Sequence, residues 1–369
     1  MLAALVATCT TAPRNAGASD ASQPHIVLAT PLSGQHAAIG IAQRAALEQA
    51  VARINAKGGI GGHAIMLSVH DDGCRREPAA LLARMLTTPP APPPLAVIGH
   101  PCASAAEAVA PLYQQAGVLM LAAGNRHPAF TDWRAGPLIF RVAGREDRQG
   151  HDAARRLRAL AGKDSGVTIV HDRTAMARAI VGRAARALMA TAAGGTAGPP
   201  SIGIVAGETD YSKAVAEVAA ARPSAIFFAG FPAEAAILLR QLRAAGIEAP
   251  LLAIDANATP EMAAHAGRAL DTGFEVMLPV AARAAPIEAN VAPLSPTETA
   301  AADAQTAIEL LVEAAHATGT LAAADLARAL AATPADAAVR LAFDAKGDVI
   351  APAFAPFRWT SGGWRAVGR

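Results

Sequence analysis

Aromatic residues are scarce in this chain. Nine Phe, three Trp and two Tyr make up 4% of 369 residues, so the core must be filled mostly by Ala, Val, Leu and Ile, and a pocket with aromatic walls has few rings to draw on. No sign of charge dominates: 32 Lys and Arg face 30 Asp and Glu, and the net charge of +2 supplies neither a nucleic-acid patch nor a polybasic membrane anchor. Long apolar runs are missing too, none reaching the roughly 18 residues of a membrane-spanning helix. What is present is a globular profile, 53% apolar and 17% charged, in a chain well beyond the usual domain of about 100–150 residues. Two lobes with separate cores are expected, and a disulfide-stapled mini-domain is excluded.

The pattern along the chain is α/β. Short apolar runs such as His25–Thr30, Leu95–Gly99, Val118–Ala122, Val167–His171, Ala225–Ala229 and Leu251–Ile254 alternate with stretches of helical periodicity, among them 37–56, 78–87, 104–116, 176–191 and 233–245. Near-continuous apolar strands argue for parallel sheets covered by helices on both faces. The series restarts after Gly144, giving two halves of similar size. Two helices, 297–318 and 321–332, and a short β tail around 340–343 and 353–359 close the chain.

Met1–Ala7 is apolar, precedes a polar, small-residue stretch, and reads as part of an export leader spanning 1–23. Val6-Ala7-Thr8-Cys9 is similar to a lipoprotein cleavage box, so lipid attachment at Cys9 is a further expectation. Cys74 and Cys102 remain as an even pair. In an exported protein a disulfide is the expected state, with two alternatives: zinc held with His70, Asp71, Asp72 and His100, or two buried thiols. Neither half has a regular zinc-ligand spacing, and no metal or cofactor is expected.

Gly58-Gly59-Ile60-Gly61-Gly62 ends a helix and leads into a strand, the reverse of a phosphate-binding loop, and reads as a C-cap and turn. Catalytic signatures of the G-x-S-x-G and H-E-x-x-H kinds are missing. The informative positions are loops at the C-terminal ends of strands, where open α/β sheets bind ligands: Ser33, Ala103 and Ser104, Gly124 to Arg126, and Asp255. Ser104 is either a helix N-cap or a carboxylate contact; Asp255 either caps a helix or pairs a ligand cation.

Ile54-Asn55-Ala56-Lys57-Gly58-Gly59-Ile60, Asp71-Asp72-Gly73-Cys74, Ile98-Gly99-His100-Pro101-Cys102, Leu239-Arg240-Gln241 and Phe343-Asp344-Ala345-Lys346-Gly347-Asp348 together resemble the leucine/isoleucine/valine-binding proteins of bacterial ABC importers. The resemblance runs from about residue 24 to 360. It implies the type I periplasmic binding fold: two Rossmann-like lobes, each a parallel sheet flanked by helices, joined by three hinge crossings. One lobe would take 24–143 plus 280–335, the other 144–279 plus 336–369. The resemblance also implies a Cys74–Cys102 disulfide, export to the periplasm, and a non-enzymatic, monomeric binding protein that hands a small ligand to an inner-membrane ABC permease. The same fold serves amide and amino-acid sensors that signal to a regulator, the alternative function.

In the family a Ser directly after the second Cys and a Thr in the next strand's loop hold the ligand carboxylate, and an acidic residue takes its ammonium. This chain has Ala103, with Ser104 one further on, then Arg126 and Asp255. Where the family often places rings it has Ile39, Met176, Phe231 and a residue near Ala300, so only Phe231 keeps one. The expected ligand is an amino acid or related small carboxylate, gripped by Ser33, Ala103, Ser104, Gly124, Asn125, Arg126, Met176, Phe231 and Asp255. An enzyme using His171-Asp172 or Asp255 as acid and base is the remote rival.

Overall fold

Strands made almost wholly of apolar residues are stable only when both faces are covered, and the arrangement meets that demand twice. The computed structural model describes residues 23–90, 92–162, 166–190, 198–282, 292–332, 341–360 and 363–367; the leader and Cys9 lie outside them. In the first lobe β1 (His25–Thr30), β2 (Met66–Asp71), β3 (Ala96–Gly99), β4 (Leu119–Ala122) and β5 (Ile139–Arg141) form a parallel sheet in the order β2-β1-β3-β4-β5. One face is covered by α1 (Ala37–Ala56), α10 (Pro296–Thr318) and α11 (Ala323–Ala332), the other by α2 (Arg76–Thr87) and α3 (Ala103–Gln115), with the short α4 (Ala129–Asp132) beyond β4.

The second lobe holds β6 (Val167–His171), β7 (Ser201–Gly203), β8 (Ala225–Ala229), β9 (Leu251–Ala253), β10 (Phe274–Pro279), β11 (Phe354–Thr360) and β12 (Gly363–Ala366), ordered β12-β11-β10-β9-β8-β6-β7. Only β11 runs against the others, pairing antiparallel with β10 on one side and β12 on the other. The helices α5 (Gln149–Ala161) and α6 (Ala175–Met189) lie on one face, and α7 (Ser212–Ala221), α8 (Pro232–Ala244) and α9 (Pro260–Ala266) on the other. Alanine does much of the filling, and the rings that exist sit deep: Phe140, Phe227, Phe228, Phe274 and Tyr113 are at most 1% exposed.

Several boundaries differ from the sequence reading. The helix expected from Ser104 begins at Ala103 with Cys102 at its N-cap, so Ser104 is inside the first turn and does not cap it. Asp255 caps no α-helix either. It opens a short 3-10 turn, and Thr259 caps α9 by accepting from Met262 N–H. The tail assigned wholly to the second lobe is shared: Phe343 and Val349 belong to the first lobe's core, Phe343 meeting Phe140 edge-on at 4.9 Å. The second-lobe core takes up the chain only at Ala353. Gly59 does end a helix, as expected; its φ is +72°, and a Cβ there would lie 1.9 Å from the His63 carbonyl oxygen.

The chain passes between lobes after β5, after β10 and again between Val349 and Ala353, and the three passages meet at Ala353. Its carbonyl oxygen accepts from Val280 N–H (3.1 Å) and from Arg126 Nη2 (3.1 Å), while its own N–H donates to Asp152 (2.9 Å). A Cβ on Gly144 would come within 2.7 Å of Ala353, so the first passage needs glycine for close approach. Beside this junction Asp348 accepts from Arg141 Nε (2.8 Å), Thr131 Oγ1 (2.9 Å) and Arg145 Nη1 (3.1 Å), with Arg141 fully buried. Arg145 also pairs with Asp147 (2.8 Å), and Asp147 lies 3.5 Å from Arg183 on α6.

Candidate functional site

A cleft of about 950 Å³ opens at the C-terminal ends of both sheets. The first lobe brings Gly124 and Arg126 from the loop after β4, and the second brings Asp255 from the loop after β9. The cleft therefore joins three of the nine residues expected to grip the ligand. Strand order explains why: β3 and β4 lie side by side, so their C-terminal loops share one edge, and β9 is central in the facing sheet.

Arg126 does not point away to solvent. Nη2 is bound to Ala353, the guanidinium lies 5.1 Å over the Phe354 ring, and the buried Nη1 has no hydrogen-bond partner among the described residues. Burial pulls its pKa down, opposed by the charges of Asp303, Asp255 and Glu146. A buried guanidinium donor without an acceptor is costly, and a ligand oxygen would relieve it. Across the cleft Asp255 Oδ1 accepts from Gln149 Nε2 (2.9 Å) and Ala256 N–H (3.0 Å), which fix the carboxylate's orientation. Gly124 has φ +88°, and a Cβ there would press on Pro101 at 3.1 Å and Gln43 at 3.3 Å, so its bareness keeps this wall open.

The other expected residues are placed differently. Asn125 is buried behind the wall, its Oδ1 accepting from His127 N–H and its Nδ2 without a partner among the described residues. Ala103 and Ser104 form the first turn of α3, and the Ser33 hydroxyl hydrogen-bonds Asp71 at the rim of the first sheet. Met176 and Phe231 stand at the head of α6 and α8, 43% and 46% exposed and outside the cleft lining. Of the four wall positions, Ile39 and Ala300 line the cleft.

Among the lining residues that the sequence pattern did not single out, three matter most. Trp364, on the antiparallel β12, gives the cleft an indole that no loop pattern announced. Leu278 arrives on β10, an apolar run that follows the Asp271-Thr272-Gly273 turn and was not picked out among the strands. Asp303 is the third: it sits mid-helix in α10, is 1% exposed, and its Oδ1 accepts from Ala282 N–H (3.3 Å). Burial pushes its carboxyl up to about 7, with that hydrogen bond and the Arg126 charge pulling the other way.

Cys74 and Cys102, which line the cleft on the first lobe's side, are joined as a disulfide, with Cα atoms 5.4 Å apart, which removes both sulfur ligands from the zinc alternative. His100 bridges Asp72 (2.9 Å) and the Tyr113 hydroxyl (3.1 Å), all buried, so these are structural partners of the disulfide turn rather than cleft groups. Asp172 holds the start of α6, its Oδ1 accepting from the Thr174 N–H and hydroxyl, while its buried Oδ2 has no hydrogen-bond partner among the described residues. Among the described residues no helix is long and apolar enough to cross a membrane.

Comparison with known proteins agrees with this layout. A sequence model of the periplasmic binding proteins matches residues 23–363. A Leu/Ile/Val-binding protein homologue of Brucella abortus is 29% identical over 343 residues, covering 90% of this chain and 89% of that protein. An amino acid binding protein of Pseudomonas aeruginosa is 30% identical over 245 residues, 66% of this chain, and the match spans less than two thirds of that relative's length, 63%. In fold, a crystal structure from Rhodospirillum rubrum described as a branched-chain amino acid ABC transporter superposes with a TM-score of 0.73 at 21% identity. It covers 94% of this chain and 100% of its own.

Proposed function

Because this chain belongs to the type I periplasmic binding proteins, in the family of the Leu/Ile/Val-binding proteins, we propose that it is an extracytoplasmic solute-binding protein that takes an amino acid or related small carboxylate into the cleft and delivers it to an inner-membrane ABC permease. The family is one of substrate-binding proteins, not enzymes. The observation that carries the ligand class is the buried, unpartnered Nη1 of Arg126 facing Asp255 across the cleft: one fixed cation and one fixed anion complement a zwitterion.

In this reading the ligand carboxylate takes Nη1 of Arg126, in place of the hydroxyl contacts typical of the resembling family. Its ammonium takes Asp255. Its side chain lies against Ile39, Leu278 and Trp364. Closure about the three passages then brings the second lobe's rim, with Met176 and Phe231, over the ligand. Specificity follows from polar groups that a wrong ligand leaves unpaired. The Pseudomonas relative, described as an amino acid binding protein, and the Brucella relative, described as a Leu/Ile/Val-binding protein homologue, support the same class.

A titration of the purified protein with the twenty amino acids, short dicarboxylates and aliphatic amides tests it. A true ligand at 100 times its Kd raises unfolding stability by about 2.7 kcal/mol. If no amino acid or carboxylate produces a saturable shift, the proposal is overturned.

A further inference from the structure

Arg126 and Asp303 both line the cleft, one from the loop after β4 and one from the middle of α10. Asp303 is fully enclosed, holds one backbone hydrogen bond, and acts on Arg126 through space rather than as a hydrogen-bond partner. A carboxyl group so placed is the built-in competitor of any ligand carboxylate for the same guanidinium. This step rests on the proposed ligand class and goes beyond it.

We infer that Asp303 is a specificity-determining residue which sets the charge class of ligand the cleft accepts. As a neutral acid it leaves Arg126 to the ligand carboxylate, and the cleft, with Asp255 opposite, suits a zwitterion. As a carboxylate it neutralises Arg126, and the remaining charge of Asp255 suits an amine. Burial holds the carboxyl in the range where both forms are populated near neutrality. The other titratable groups lining the described cleft are His36 ahead of α1, Glu298 in the first turn of α10, and Asp255. Glu298 is engaged in the capping box with Ser295, and Arg126 is the charged group that acts on Asp303. Of the elements packed on α10, α1 buries only uncharged residues, Gly40, Gln43, Leu47, Ala50 and Val51, β3 has no titratable group, and α11 buries Leu326, Ala327 and Leu330 while its Asp325 and Arg328 pair with each other at the surface.

The experiment is calorimetric titration of the full chain with L-leucine, benzoate and isobutylamine at pH 6 and pH 8, for wild type, Asp303→Asn and Asp303→Ala. With one proton linked and a midpoint near 7, the wild-type Kd for leucine or benzoate rises about tenfold from pH 6 to pH 8, isobutylamine shows the opposite trend, and both variants are flat. If leucine binds with a Kd that does not change with pH, the inference fails while the amino-acid reading stands. If only benzoate binds, with the tenfold change, the amino-acid reading fails while the inference stands. Carbon-13 NMR of the aspartate carboxyls gives a readout free of ligand and of variant folding. One carboxyl titrating near pH 7 in the wild type supports the inference; all of them titrating near 4 overturns it, including where none of the three probes binds.

Discussion

Removing Asp348 tests the junction between the lobes. The side chain is 5% exposed and faces Arg141, whose side chain is 0% exposed. Asp348→Ala strands that guanidinium without its counter-ion and takes the acceptor from Thr131 and Arg145 as well. Breaking one side of a buried pair costs about 3–5 kcal/mol, because the remaining charge stays desolvated. The outer members of the same network behave otherwise: Lys346 and Asp132 are 57% and 37% exposed, and such a pair contributes less than about 1 kcal/mol. Urea unfolding at fixed protein concentration and without ligand reads both, as a shift of the first-lobe midpoint at constant slope. Asp348→Ala should lower stability by about 3–5 kcal/mol, Lys346→Ala by less than about 1. The double change Arg141→Met/Asp348→Leu should recover much of the loss, since two apolar side chains need no pairing. Equal effects of Asp348→Ala and Lys346→Ala, or a double variant worse than the single, would refute the assignment of a buried, mutually dependent pair.

Arg126→Met should abolish saturable binding of carboxylates while leaving the fold intact, and Asp255→Ala should do so for amino acids but spare carboxylates that lack an ammonium; calorimetry with leucine and benzoate separates the two. For Asp303 the folded carboxyl titrates at about 7 against an ordinary value of 3.8, so its contribution to stability is present below pH 4 and is lost as pH rises through 7. Asp303→Asn should therefore be the more stable protein at pH 8, by at most roughly 4 kcal/mol, and close to wild type at pH 4, as read by urea titration. Cys102→Ser opens a loop of 28 residues and should cost roughly 3.5 kcal/mol by chain entropy; a midpoint unchanged under oxidising conditions would contradict it. Trp364 fluorescence should respond to ligand, and the Trp364→Phe variant should lose that response.

What could be read from sequence is what local chemistry fixes. The strands β3, β4 and β8 are apolar throughout and β1 is apolar between His25 and Thr30, so their burial follows from the pattern alone. Gly124, Arg126 and Asp255 were found because a strand end marks a ligand edge whatever the side chain. Asp303 could not be found this way. Within TAAADAQTAIEL an acid looks like a solvated helix face, and its burial comes from the packing of α10 on α1 and from the arrival of Ala282, both long-range events. Trp364 was hidden for a similar reason: β12 is four residues long and its neighbours are settled only by antiparallel pairing with β11. The carboxylate role weighed for Ser104 rested on its opening a helix, and the helix starts one residue earlier, at Ala103.

The meeting of three passages at Ala353 has a mechanical side. Points on an axis of rotation stay still while points far from it sweep the widest arcs. Arg126 is tied to the Ala353 carbonyl, and Ala353 is tied to Asp152 of the other lobe, so under the proposed closure the guanidinium sits at the fulcrum. Met176 and Phe231, at the open rim, travel. The anchor for the ligand's charge would then be the same in both states of the jaws, and the work of telling ligands apart by shape would fall on the side chains with the longest lever arm.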